Sequence, residues 1–244
     1  TELGSRTVAH FILIHGASHG GWCWEKVVPL LKAQGHSVAA PDLPGGGDDP
    51  TRLSVIGLTL YVKRVVQAIE AAPSKPVLVG HSMGGVSITE AGEARPDKIG
   101  CLVYLTAMMP LDGQYAREIS ARAPGSLLSR SIEMANDGIS YAYKKSNVAA
   151  LFYNDCTPED LFNATRRLKA MPRNVTMTPV RTTPQRFGRL KRVYIECTLD
   201  QAIPLDLQRY MEKALPPDRT ITMQTGHSPF RSAPDELAGH FEDI

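Results

Sequence analysis

One serine stands inside the run Gly80-His81-Ser82-Met83-Gly84-Gly85, between the apolar stretch KPVLV (75–79) and the small-residue stretch VSITEAGEA (86–94). The first stretch reads as a buried strand and the second as a helix, so G-x-S-x-G falls on a sharp strand-to-helix turn. Glycines two residues either side let the two backbones come close, and the serine between them is held in strained dihedrals. A hydroxyl presented in this way is placed to attack a carbonyl carbon. The bland alternative is a glycine-rich turn with a solvated serine, and the flanking strand and helix weigh against it.

A serine hydroxyl is a poor nucleophile until a base takes its proton. Of the seven histidines, His227 in QTGHSPF follows the last strand candidate and precedes the last helix. It therefore lies on a loop at the right edge of a sheet. His10 falls within a strand, His36 enters one, His240 belongs to the terminal helix, and the side chain of His81 should point away from the hydroxyl. An acid is then needed to hold the imidazole tautomer and stabilise the imidazolium. Asp200, in YIECTLDQAIP, stands just past a strand. Its rivals fit less well, since Asp206 reads onto the next helix, Asp218 precedes a strand and Glu196 lies within one. The order Ser82, Asp200, His227 is a known triad order for serine nucleophiles of this kind.

Negative charge developing on the attacked carbonyl requires donors. The amide of Met83, directly after the serine, is one, and the amide of Ala17 in HGASHGGW (15–22) is the other. His15 and His19 of that loop could ligate a metal, but no carboxylate or cysteine stands at matching spacing, which favours bracing hydrogen bonds. No metal or organic cofactor is expected. His15, Gly16 and His19, with Tyr141, Phe152 and Phe162 further along, are candidates to touch substrate.

These residues need a sheet to position them. HFILI (10–14), HSVAAPDL (36–43), PVLVG (76–80), GCLVYLT (100–106), KRVYIECT (191–198) and RTITMQT (219–225) are six strand candidates. Their nearly unbroken apolarity implies strands covered on both faces, as in a parallel sheet. Helical spacing appears over 24–34, over 58–72 with Leu58, Tyr61, Val62, Val65 and Ile69 on one stripe, and at Leu207, Tyr210, Met211 and Ala214. Pro234 opens a terminal helix. Alternation of strand and helix predicts a doubly wound α/β fold.

The rhythm breaks over 108–187, where short helical pieces, prolines and aromatics replace buried strands. So long a stretch must have structure of its own. The expected organisation is a core of 1–107 and 188–244 with 108–187 as a helical cap above the sheet. Leu127, Leu128, Tyr141, Tyr143, Phe152, Tyr153, Phe162 and Met171 supply its apolar surface, part of it internal packing. A mostly apolar pocket with few charges would take an uncharged hydrophobic ester.

Composition narrows the partners. The 244 residues carry 27 basic and 25 acidic side chains without a block of either sign, which suggests neither nucleic acid nor an anionic membrane. Cys23, Cys101, Cys156 and Cys197 lie far apart and read as reduced thiols. The apolar run from Val8 is too short to span a bilayer. With no signal-peptide pattern the expectation is a cytoplasmic protein, secretion with a removed signal remaining open.

HGASHGGW, LLKAQGHSVAAPDL, GHSMGG, CTPEDL, RFGRLKRVYIECTLDQAIP and LQRYM occur in that order. Together they resemble, over essentially the whole chain, the plant methyl-esterase and hydroxynitrile-lyase branch of the α/β-hydrolase superfamily, which includes methyl salicylate and polyneuridine aldehyde esterases. The resemblance implies an α/β-hydrolase fold with a mostly parallel six-stranded sheet and a cap. It also implies a serine carboxylesterase, without cofactor, for aryl, methyl or lactone-like esters, with Ser82, Asp200 and His227 as triad and Ala17 and Met83 as oxyanion hole. Members of this branch often form dimers, so a homodimer is an implied partner. Lyases of the branch typically carry a threonine after the first-loop histidine and a lysine beside the catalytic one. Here those positions hold Gly16 and Ser228, which favours the esterase over the lyase. A non-catalytic small-molecule receptor on the same fold is the third class, and a complete Ser, Asp, His set weighs against it. The departures, in SPF after His227 and in much of the cap, leave the substrate open.

Overall fold

A computed structural model of the chain describes residues 8–244. The core elements run β1 (His10–Ile14), α1 (Val27–Ala33), β2 (Ser37–Ala39), α2 (Leu58–Glu70), β3 (Val77–His81), α3 (Gly84–Ala94) and β4 (Cys101–Leu105). An excursion follows, made of α4 (Ala116–Ser120), α5 (Leu127–Ser131), β5 (Ile132–Met134), β6 (Ser140–Tyr143), α6 (Lys145–Phe152), α7 (Pro158–Thr165), β7 (Met171–Pro172) and α8 (Arg173–Met177). The chain then returns through β8 (Arg192–Cys197), α9 (Leu205–Ala214), β9 (Arg219–Met223), α10 (Pro229–Ser232) and α11 (Pro234–Glu242).

Six strands form one sheet in the order β2-β1-β3-β4-β8-β9, and every pairing in it is parallel. All six strand candidates are present, the second shortened because Pro41 has no amide to donate to a ladder. Period-two alternation explains why the strands are apolar throughout. Ile12, Ile14, Leu78, Leu102, Tyr104 and Tyr194 face one layer, against Leu58, Tyr61, Val65 and Ile69 of α2 and Val86 and Ile88 of α3. Phe11, Leu13, Val79, Val103, Leu105 and Ile195 face the other, against Val27 and Leu31 of α1 and Leu237 and Phe241 of α11. Each such side chain contributes about 1.5–3 kcal/mol relative to exposure, so the sheet is a rigid platform.

The excursion is not wholly helical. Strands β5, β6 and β7 form a small antiparallel sheet. IEM and SYAY are partly exposed, so they lack the continuous apolarity that marks the core strands. Helix α7 carries a plain start signal, with Thr157 accepting from the amide of Asp160 and Pro158 in the first turn. All four cysteines are free thiols. No helix among the described residues is long and apolar enough to cross a membrane.

Candidate active site

Ser82 directly follows β3 and has φ 53°, in the left-handed region that non-glycine residues avoid. The strained geometry is pinned by its neighbours. Its amide donates to Leu105 O at 3.3 Å, and its carbonyl accepts from Gly85 N at 3.1 Å and Met108 N at 3.0 Å. The flanking glycines are required by contact. A Cβ on Gly80 would lie 2.8 Å from the Gly84 backbone, and one on Gly84 would lie 2.8 Å from Ile14 O.

Asp200 leaves the end of β8 and His227 the end of β9, so their loops share the carboxyl edge with Ser82. Nδ1 of His227 donates to Oδ2 of Asp200 at 2.6 Å, with both side chains buried. The other carboxylate oxygen, Oδ1, accepts from Ala202 N at 2.6 Å and Ile203 N at 2.9 Å. Thr106 completes the set by donating its hydroxyl to Oδ2. Asp206 is exposed on α9 and makes none of these contacts.

His81, just before the serine, points into the protein. Its Nε2 donates to the carbonyl of His227 at 2.7 Å, and the two rings lie 4.6 Å apart. A carbonyl only accepts, which fixes the proton on Nε2 and leaves a neutral Nδ1. Burial agrees, holding His81 well below the usual histidine range. The turn that presents Ser82 thus also holds the backbone of His227.

The loop after β1 is braced as its histidines suggested. His15 donates from Nδ1 to Gly16 O at 2.8 Å and accepts at Nε2 from Leu43 N at 2.9 Å. His19 donates from Nδ1 to Ala17 O and accepts at Nε2 from the Tyr153 hydroxyl, both at 2.6 Å. Burial pushes His15 down and His19 down to about 3. With both ring nitrogens of each engaged, neither histidine is available to a metal. The amides of Ala17 and Met83 are buried and donate to no acceptor among the described residues.

A cavity of about 460 Å³ opens onto Ser82 and Met83, walled by residues that include Met108, Leu128, Ile132, Tyr141 and Phe152. Two of the six proposed contact residues, Tyr141 and Phe152, thus line it. His15 and His19 do not, because their rings are spent on bracing, His15 between Gly16 and Leu43 and His19 between Ala17 and Tyr153. Gly16 packs against Ser82 instead, since a Cβ there would come 2.7 Å from Cβ of Ser82. Phe162 is 60% exposed, with Arg166 over its ring. On α7 the buried residues are Asp160 and Ala164, four apart, so residue 162 falls on the opposite face. The wall is not free of charge either, because Arg117 and Arg173 stand in it.

Three features were not foreseen: Thr106, and the adjacent pair Asn154 and Asp155. Asn154 Nδ2 donates to Leu199 O at 3.0 Å, and Asp155 Oδ2 accepts from Gly226 N at 2.6 Å. The excursion thereby grips the residues next to Asp200 and His227. No sequence signal marks a contact made only after two distant segments fold together.

The chain matches the alpha/beta hydrolase family over residues 11–240 and belongs to that family. It is 33% identical over 251 residues to methyl jasmonate esterase 1 of Vitis vinifera, with 96% of each chain covered. It is also similar to the solved structure of polyneuridine aldehyde esterase, at a TM-score of 0.88 and 28% identity over 98% of this chain and 99% of that one. Tomato methylketone synthase I, in a variant complexed with beta-ketoheptanoate, matches at a TM-score of 0.89 and 27% identity over 99% and 98%. Within the family the chain falls in the plant methylesterase branch, and it is a carboxylesterase-type hydrolase of small esters.

Proposed function

We infer that the chain hydrolyses small, largely hydrophobic esters through an acyl-enzyme on Ser82, with residues 108–187 as the cap that shapes the pocket. The observation that carries this reading is the buried 2.6 Å contact of His227 with Asp200 beside the strained Ser82. Ser82 Oγ attacks the ester carbonyl carbon while Nε2 of His227 takes its proton, and Asp200 stabilises the imidazolium. The amides of Ala17 and Met83 hold the developing oxyanion, each worth about 3 kcal/mol. His227 then gives its proton to the departing alkoxide, and water, activated by the same base, releases the acid and restores Ser82. Apolar walls at Met108, Leu128, Ile132 and Phe152 support a hydrophobic acyl or alcohol group.

A panel of methyl, aryl and lactone esters, with an aromatic cyanohydrin as control, tests the reading. Ester turnover that disappears in Ser82→Ala, with no cyanide released from the cyanohydrin, is the expected outcome. Cyanohydrin cleavage in preference to every ester would move the chain to the lyases. Tight binding of esters without turnover would make it a receptor.

A further inference from the structure

The cavity above Ser82 has two ends. Ser82 and Met83 are buried at the inner one, whereas Arg117 and Arg173 belong to the lining and are exposed, which places them at the mouth. Arg117 sits on α4 and Arg173 opens α8, and these two helices pack against each other. Neither guanidinium makes a hydrogen bond or an ion pair with any described residue. Some other arginines, by contrast, are held by acids: Arg209 forms a two-pronged pair with Glu196, and Arg231 meets Glu25. The cavity lining contains no aspartate or glutamate to neutralise the two.

Apolar side chains make up most of the rest of the lining, Met108, Ile132 and Phe152 among them, and Ser120, Ser129 and Thr176 add only neutral hydroxyls. A ligand that seats its ester carbonyl at Ser82 therefore has mostly apolar surroundings and two unpaired cations within the same cavity. Guanidinium forks match carboxylate geometry, and charge-assisted hydrogen bonds of this kind are roughly twice as strong as neutral ones. At an exposed mouth the anion keeps part of its hydration, so the penalty for burying an isolated charge does not apply in full. Cations at an entrance also draw anionic substrates inward.

We propose that Arg117 and Arg173 recognise a carboxylate at the far end of the substrate, which makes the preferred ester a monoester of an apolar dicarboxylic acid. This rests on the esterase reading of Ser82. Hydrolysis adds water across the acyl carbon–oxygen bond and releases the alcohol and the dicarboxylate. The distal carboxylate fixes which end of the chain enters first, something that apolar walls alone do not specify.

Monomethyl octanedioate and methyl octanoate share their chain length and their reacting methyl ester and differ in the distal charge. The ratio of their kcat/KM values cancels any change common to both. The wild-type enzyme should favour the monoester by about ten-fold, and R117Q/R173Q should bring the ratio close to one, chiefly through KM. R117K/R173K should retain part of the preference, because it keeps the charge without the fork. A wild-type preference for methyl octanoate, or a ratio unchanged in R117Q/R173Q, would overturn the proposal. Failure to cleave either ester, together with failure of a fluorophosphonate to label Ser82, would instead overturn the esterase reading beneath it.

Discussion

The hydroxyl of Thr106 lies 2.5 Å from Oδ2 of Asp200, the same oxygen that receives Nδ1 of His227. Thr106 follows β4 and has φ 35°, so a second non-glycine residue in the left-handed region, like Ser82, stands at this edge of the sheet. Thr106→Val keeps the β-branched shape and removes only the donor. Losing a hydrogen bond to a charged group costs about 1.5–3 kcal/mol, so kcat should fall about 10- to 100-fold with KM little changed. A lowered melting temperature at wild-type kcat would reduce Thr106 to a structural role.

Asp155 tests whether the excursion steadies the base. Its carboxylate is the acceptor for Gly226 N, one residue before His227. Asp155→Ala leaves that amide without its acceptor and frees the loop. Steady-state kinetics should show kcat reduced about ten-fold, with circular dichroism unchanged. Equal kcat in the two proteins would mean that the loop holds His227 unaided.

Acid should unfold this protein through its neutral histidines. His15, His19 and His81 are held below their ordinary range by burial, His19 at about 3. Each is lower in the folded state than in the unfolded, so below pH 6.5 the unfolded chain binds more protons. The stability they contribute is therefore complete above about pH 6.5 and is lost as pH falls toward the folded values. Each adds a slope of up to about 1.4 kcal/mol per pH unit. Urea unfolding between pH 4.5 and 7.5 should give a shallower slope for His19→Gln than for wild type. Identical slopes would show that His19 already takes up its proton in the folded state.

What the sequence disclosed was the chemistry that local patterning enforces. G-x-S-x-G had to be a close turn because Gly80 and Gly84 touch backbone, and Asp200 and His227 stood where strands ended. The buried strands were visible for the same reason, since a sheet covered on both faces is apolar at every position. The small sheet of β5, β6 and β7 was invisible because its strands are short and half exposed. Phe162 was misjudged because an aromatic residue on an amphipathic helix has no sign of which way it faces until its neighbours Asp160 and Ala164 are seen to be buried. Thr106, Asp155 and the two mouth arginines act across segments far apart in the chain, and no local pattern encodes such meetings.

On the esterase reading, Ser82 is the nucleophile and Asp200 and His227 activate it. Mass spectrometry after treatment with a fluorophosphonate tests it most directly. One adduct per chain should form on the peptide carrying Ser82, vanish in Ser82→Ala and form far more slowly in Asp200→Asn, for which turnover should drop by about 10⁴. An adduct elsewhere, or none at all in a preparation that still hydrolyses esters, would remove Ser82 from the role of nucleophile.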